Sequence, residues 1–377
     1  MINFKTGGDK MAFLKSKTLF FTTSPRTPTK MIPEIELLTD AFTGRVWNTQ
    51  SQIEFIEHLT ENPHFEGQGS QKDMAFSARD RINRGPKALG FVDLKPTIQL
   101  TDAGREFVSN KRTEEVLLRQ LLKFQLPSPY HRETADSDKI FWVKPYLEMF
   151  RLVYTLEKVS FDEIMLFGMQ LIDYRHFDNI VNKILDYRAE RSSFQGSYKQ
   201  YFGHTLDSEL AKIFEAEIKT GNTSTRESTD ASLAKFKKTK RSNLRDYTDA
   251  CFRYLRATGL VSISHKGRSL SIMPDKINEV KFILETIDRN PVFVNDERKF
   301  KEHLFNATVP VLYTDNRSNL EEYILRCSST TKSQLDKKSI TELKDLREEI
   351  IRKNKESIVS TQIQALKSYS LYSEVID

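Results

Sequence analysis

Phe76-Ser-Ala-Arg-Asp-Arg-Ile-Asn-Arg-Gly-Pro-Lys-Ala-Leu-Gly-Phe-Val92, then Asp93-Leu-Lys-Pro-Thr97, then Ile98-Gln-Leu-Thr-Asp-Ala-Gly-Arg-Glu-Phe107, is the stretch whose reading decides the fold. Ser77 followed three residues later by Asp80 reads as a capping box, because a hydroxyl and a carboxylate at that spacing satisfy two helix-end amides. The helix it opens carries Arg79, Arg81 and Arg84 and stops at Gly85-Pro86, since the residue before proline is pushed out of the helical region. Leu89 to Val92 and Ile98 to Leu100 read as two short strands around a proline-containing loop, and Thr101 caps a further helix. A helix, a hairpin and a helix, with arginines on the leading helix, is the layout of a winged helix. Such units also occur as purely structural modules, so the basic residues around this one matter.

The layout recurs. Thr220 to Ala231 is rich in Gly, Asn, Ser and Thr without periodicity and reads as a mobile linker. Lys235, Lys237, Lys238, Lys240, Arg241, Arg245, Arg253 and Arg256 follow, against only Asp246 and Asp249, in the most basic run of the chain. A solvated charged face is the usual meaning of such a run. This one leads through Cys251-Phe-Arg-Tyr-Leu-Arg-Ala-Thr-Gly-Leu-Val261 into a hairpin whose tip is His265-Lys-Gly-Arg268. Two basic units of one layout favour DNA binding over the solvated face. The expected fold class is α+β, mainly α, with tandem winged-helix subdomains, short β-hairpin wings and a helical linker.

Composition sets the frame. The chain has 377 residues, enough for two or three domains, with 38% hydrophobic and 29% charged residues and a formal charge of +6. Cys251 and Cys327 are the only cysteines, which implies no disulfide framework and suits a reducing, cytoplasmic setting. No apolar run is long enough to span a bilayer, and Leu19-Phe-Phe21 is too short for a signal peptide.

The rest of the chain is read around the two basic units. Met1 to Lys17 reads as a loose arm and Thr18 to Thr23 as a strand. In Ser24-Pro-Arg-Thr-Pro28 a capping residue precedes proline at a helix start, with Arg26 and Lys30 near an end that suits anions. Helical apolar spacing covers Ile35 to Leu38, Thr49 to Thr60, Val116 to Leu122 and the whole of Phe141 to Arg191, where Ser160-Phe-Asp-Glu163 is a capping box. His131 to Lys139 is a polar loop whose Glu133, Asp136 and Asp138 lack the glycine and terminal glutamate of a calcium loop. Ser339-Ile-Thr-Glu342 caps a last helix bearing Ile340, Leu343, Leu346 and Ile350. The expected divisions are a first winged-helix subdomain over 1–140, a helical connection over 141–219, a second winged-helix subdomain over 220–300 and a helical linker over 301–377.

A metal-dependent nuclease site needs carboxylates around a divalent ion and a lysine beside the attacking water. Asp275 with Glu279 and Lys281, and Asp207 with Glu217 and Lys219, match only in spelling. Pro274 opens a helix, and Leu206, Leu210, Ile213 and Phe214 mark another. There is no zinc-spaced pair among the seven histidines and no phosphate-cradling glycine loop, so no catalytic or metal residue is assigned.

Taken together, Ser24-Pro-Arg-Thr-Pro, Ala75-Phe-Ser-Ala-Arg-Asp-Arg, Gly90-Phe-Val, Leu100-Thr-Asp-Ala-Gly, Leu122-Lys-Phe-Gln-Leu-Pro-Ser and Arg253-Tyr-Leu-Arg-Ala-Thr-Gly-Leu resemble the AlwI family of type IIS restriction endonucleases, which includes related nicking enzymes. The likeness runs from about Ser24 to about Met273 and is looser afterwards. It implies an N-terminal DNA-recognition region that reads a short asymmetric site, joined to a C-terminal nuclease domain that uses Mg2+ and cuts to one side. Here the chain ends at Asp377, so the expectation is recognition in this chain and cleavage by a nuclease domain or subunit supplied elsewhere. The partner is then double-stranded DNA, with no membrane, no cofactor in this chain and a monomer on the site. The expected DNA-binding residues are Arg26, Lys30, Arg79, Asp80, Arg81, Asn83, Arg84, Lys87, Lys237, Lys238, Lys240, Arg241, Asn243, Arg245, Lys266 and Arg268. The competing readings are a winged-helix transcription regulator, which would bind a palindrome as a dimer, and a complete endonuclease with an unrecognised site.

Overall fold

The computed structural model describes residues 12–14, 16–25, 27–61, 73–133, 141–224, 231–264 and 268–354. Among the described residues the fold is mainly helical with three small sheets, as the α+β expectation had it. Contacts divide the chain into two compact units, Met1–Pro310 and Val311–Asp377.

The first unit begins with β1 (Ala12–Leu14), followed by α1 (Met31–Phe42), α2 (Thr49–Glu61) and α3 (Met74–Ile82). Asp73, rather than Ser77, caps α3 by accepting from the Phe76 amide at 2.8 Å. Starting there puts Ala75, Ala78 and Ile82 on one buried face, at the spacing helix packing requires. Gly85-Pro86 does not end the helix at once, because Asn83–Lys87 continues it as a wider π-helical turn that absorbs the proline. There β2 (Val92–Asp93) and β3 (Gln99–Leu100) pair antiparallel, Val92 opposite Leu100, shorter than the strands expected. Next comes α4 (Asp102–Val108), capped by Thr101, whose hydroxyl accepts from the Gly104 amide at 2.9 Å. Gly104 has a steric duty as well: a Cβ there would come within 2.0 Å of the Phe91 carbonyl oxygen. The Phe91 and Phe107 rings stack 4.1 Å apart at this crossing.

Beyond α4 lie α5 (Thr113–Lys123), β4 (His131–Glu133), α6 (Pro145–Leu156), β5 (Lys158–Ser160) and α7 (Phe161–Leu166). The run from Phe141 to Arg191 is thus interrupted, because β5 finds its partner in β7 (Ser269–Ile272), more than a hundred residues away, where no local pattern reveals it. The capping box at Ser160 and Glu163 is present, with both reciprocal bonds made. Then follow α8 (Phe177–Ser193), α9 (Tyr198–Ile213), α10 (Glu215–Thr220) and the 24-residue α11 (Leu233–Arg256), capped by Ser232. The hairpin of β6 (Val261–Ile263) and β7 gives a sheet of order β5-β7-β6. The unit closes with α12 (Ile277–Thr286), reached through a 3-10 turn at Pro274–Lys276, and α13 (Glu297–Phe305).

Two parts of this unit share one connectivity. In the first, α1, α2 and α3 lead into the β2–β3 hairpin, and the stretch between α1 and α2 hydrogen-bonds to Ile98 just before β3 (Gly44 N to Ile98 O 2.9 Å, Ile98 N to Arg45 O 2.8 Å). In the second, α6, β5, α7 and α11 lead into the β6–β7 hairpin, and β5 pairs with β7. Each time the segment after the first helix joins the second strand of the hairpin. The second copy has α8 to α10 inserted between its second and third helices.

Thr18 to Thr23 is not a strand. Leu19 and Phe21 are buried, and Leu19 reaches the Met169 carbonyl through its amide at 2.7 Å. The strand lies earlier, at β1, which pairs in parallel with β4 and so takes part of both the expected arm and the expected polar loop. The middle of the linker expected over Thr220 to Ala231 falls outside the described residues, as do Asp136 and Asp138.

The second unit contains α14 (Arg317–Cys327), α15 (Lys332–Leu335) and α16 (residues 340–354) around a core of Leu320, Ile324, Leu335, Leu343 and Ile350. Ser339 and Glu342 form the expected capping box of α16.

Candidate nucleic-acid interface

Helix α3 presents its arginines in three different ways. Arg81 turns inward to Glu34 of α1 at 2.6 Å, with 22% and 8% of the two side chains exposed. The second oxygen of Glu34, Oε2, is buried without a hydrogen-bond partner. Burial therefore raises the pKa of Glu34, although Arg81 and Lys30 pull the other way. Arg79 donates to Gln52 Oε1 of α2 at 2.7 Å. Arg84 is exposed and pairs with Asp80 one turn back at 2.9 Å.

The outer face of α3 and its π-helical turn form one wall of a cleft of about 250 Å³, lined by Arg79, Asp80, Asn83, Arg84 and Lys87. The hairpin contributes Asp93 and Lys95, α13 contributes Glu297 and Lys301, and the segment before β4 contributes Tyr130. Five of the residues expected from sequence thus converge. Lys301 reaches Asp93 at 3.0 Å, and the Lys87 ammonium lies 5.2 Å from the centre of the Tyr130 ring. Burial, with Asp93 and Glu297, pushes the Tyr130 phenol well above its ordinary value, so it stays protonated. His131, against the rings of Phe20 and Phe124, is lowered by burial and Lys87 to about 4 and is neutral at physiological pH. Lys95 carries a signal that sequence reasoning passed over, a lysine in the loop of a wing. Lys301 carries none, because its helix arrives from more than two hundred residues downstream.

Helix α11 runs close by. Tyr247 lies beside Phe20, ring centres 6.4 Å apart, and burial raises its pKa while the Arg84 charge acts against this. Phe20 in turn meets His131 at 5.5 Å, so an aromatic run links α11 to the cleft. Lys238, Arg241 and Arg245 are exposed and, at positions three and four apart, share one face of α11. Arg241 pairs with Asp207 at 2.6 Å, and Lys238 and Arg245 have no ion-pair partner among the described residues. Asn243 is exposed and Lys237 half-buried. The Lys240 ammonium lies 4.9 and 5.0 Å from the centres of the Phe214 and Phe236 rings, which meet each other edge-on at 5.6 Å, and its burial lowers its pKa. At the hairpin, Arg268 pairs with the buried Asp162 at 2.9 Å and stays largely exposed. Lys30 is exposed at the start of α1. Arg26 and Lys266 lie outside the described residues.

The two carboxylate and lysine groupings are on helices. Asp207 faces Arg241, Glu217 binds Lys17 at 2.9 Å and Lys219 binds Glu215. Glu279 binds Lys276 at 2.8 Å, and Lys281 is nearest Glu285 at 3.8 Å. Among the described residues no three His, Cys, Asp or Glu side chains converge as a metal would need. The Mg2+ that the resemblance implies has no fitting donor set among them. No described helix is long and apolar enough to cross a membrane.

Among curated proteins none matches this chain. The AlwI restriction endonuclease family, in contrast, matches residues 87–370, beginning after Ala75 to Arg81 and continuing well past Met273, where the motif likeness had thinned. Spanning far more than half of the sequence, that match shows that the chain belongs to the AlwI restriction endonuclease family.

Proposed function

We propose that this chain carries the double-stranded DNA recognition of a type IIS restriction or nicking enzyme, acting as a monomer on a short asymmetric site. Family membership supplies DNA as the partner and a type II restriction enzyme as the setting. The observation that carries the reading is the repeated connectivity: three helices, a hairpin, and a strand-like segment after the first helix that joins the second hairpin strand. That is the order of a winged helix, whose third helix enters the major groove. Applied here, α3 and α11 are the recognition helices, the β2–β3 and β6–β7 hairpins are the wings, and α8 to α10 are an insertion into the second module. The modules differ in sequence and in that insertion, so one chain offers two different reading heads, which suits an asymmetric site. Lys238, Arg245 and Arg268 serve as phosphate contacts, which fix position, and the cleft wall of α3 supplies base contacts, which specify. Cleavage we assign to a metal-dependent nuclease domain, in keeping with the scattered, paired carboxylates of the described residues.

The test is selection of bound duplexes from a random pool by the purified chain at moderate salt. A single asymmetric consensus is expected. A palindromic consensus would instead point to a dimeric regulator, and the absence of any consensus would sink the proposal.

A further inference from the structure

We propose, resting on the DNA-recognition reading above, that Asn83 is a specificity-determining residue whose amide is held in one orientation by Trp47, so that it reads an acceptor on a base edge. An asparagine amide can present either its oxygen or its nitrogen to a ligand, and a free one offers both. Asn83 is not free. The Trp47 indole nitrogen lies 3.1 Å from Asn83 Oδ1, and an indole N–H only donates, so the oxygen must face it. Nδ2, which has no partner among the described residues, is what remains for the cleft that Asn83 lines.

Trp47 is itself fixed. It is buried, its ring packs 5.9 Å from Phe55, and its carbonyl accepts from Gln52 Nε2 at 3.2 Å. Gln52 is turned the same way by Arg79, which donates to its Oε1. The polar bonds run from Arg79 through Gln52 to Trp47 and back to Asn83, one helical turn beyond Arg79 on the same face of α3 and its extension. Both ends of this loop show only donors to the cleft: the remaining guanidinium N–H groups of Arg79 and the NH2 of Asn83.

A donor at Asn83 selects purine N7, guanine O6 or thymine O4 in the major groove and rejects the amino groups of cytosine and adenine. This differs from an unrestrained asparagine, which pairs with adenine through oxygen and nitrogen together. Trp47 is a positioning residue here, because it acts on DNA only through Asn83.

The experiment repeats the random-pool selection with Asn83→Asp and Trp47→Phe beside the wild type, with affinity for random duplex as a second readout. Asn83→Asp keeps an oxygen for the indole and replaces the donor with an acceptor. It is expected to move preference at one base pair from an acceptor-bearing base to an amino-bearing one, leaving the other positions unchanged. Trp47→Phe keeps the ring and frees the amide, so discrimination at that same pair is expected to fall about tenfold while random-duplex affinity stays within about twofold. A wild-type consensus retained at every position by both variants would overturn the inference alone. A wild type that selects no consensus would overturn the proposed function, and this inference with it.

Discussion

Arg81 and Arg84 sit three residues apart, and substitution should separate a residue that holds the fold from one that meets DNA. Replacing Arg81 by methionine preserves packing and leaves the Glu34 carboxyl, of which one oxygen already lacks a partner, without the cation 2.6 Å away. Breaking a buried pair from one side costs about 3 to 5 kcal/mol, and with Arg81 about a fifth exposed the low end, roughly 3, applies. Protonation sets a ceiling on the cost. Neutralising a carboxyl of ordinary pKa 4.5 at pH 7.5 costs about 4 kcal/mol, and at pH 5.5 only about 1.4. The sign follows from the raised pKa of Glu34. Between 4.5 and the folded value the native state binds more protons than the unfolded one, so stability falls as pH rises through that window. Arg81→Met widens the window upward. Urea unfolding should therefore show a deficit near 3 kcal/mol at pH 7.5 that shrinks to about 1 at pH 5.5, and Glu34→Gln in the same chain should restore most of it. Arg84→Ala, in contrast, removes an exposed pair worth about 0.5 kcal/mol or less and should weaken DNA binding without moving the urea midpoint. An Arg81→Met chain that unfolds with the wild type, or whose deficit grows on acidification, would refute the reasoning.

Gly104→Ala should lower the urea midpoint by the equivalent of about 1 to 3 kcal/mol, since its methyl group would collide with the Phe91 carbonyl; an unchanged midpoint would show that α4 shifts freely. The slope of log affinity for DNA against log salt should flatten by about 0.9 for each of Lys238→Gln and Arg245→Gln, whereas Lys240→Gln, losing its cation contacts with the Phe214 and Phe236 rings, should register mainly in stability. Lys123 is lowered by burial and the Arg119 charge to about 7, so from there up to the unfolded value of 10.5 the unfolded chain binds more protons and stability rises with pH. Relative to Lys123→Met, wild-type stability measured by urea unfolding should climb by up to about 1.4 kcal/mol per pH unit above 7, and parallel pH profiles would contradict this. Glu217→Ala and Glu279→Ala should leave DNA affinity near wild type, and magnesium-dependent plasmid nicking abolished by either change would reveal an active site among these helices.

Where the sequence was legible, the cause was local. Thr101, Ser160 and Ser339 cap the helices they were read to cap, because the bonds of a cap are made within four residues of chain. Ser77 failed for an instructive reason. The stretch offers Asp73 as well, and the choice fell to whichever start turns Ala75, Ala78 and Ile82 onto one buried face, which is a tertiary matter. Strand β5 was invisible because three residues, Lys158 to Ser160, are too few for their alternation to register, and its bonds come from β7. The same holds for the interface. Sequence picked out Arg79, Asp80, Asn83, Arg84 and Lys87 within one short stretch. It could not tell that Arg81 points the other way, that Lys301 closes the far side, or that Trp47 determines which atom of Asn83 is shown.

The closeness of α11 to α3 changes what the two basic stretches mean. Read along the chain they are separate heads, more than one hundred and fifty residues apart. In the fold Tyr247 stands beside Phe20 and feels the Arg84 charge, while Tyr254 of α11 donates to the Pro25 carbonyl at 3.1 Å. Thr22 binds the Arg84 carbonyl at 2.9 Å, so residues 20–25 form a packed seam between the two helices. The seam has little room to give: a Cβ on Gly85 would press within 3.1 Å of both Met31 Sδ and the Ser24 carbonyl. Interiors this close-packed transmit displacement instead of absorbing it. The angle between the two helices is therefore a property of the seam, and under the proposed reading so is the spacing of the base pairs they would meet together. Under the proposed DNA-recognition reading, Thr22, Ser24 and Pro25 contribute by fixing the geometry between α3 and α11, through contacts to those helices and not to a base.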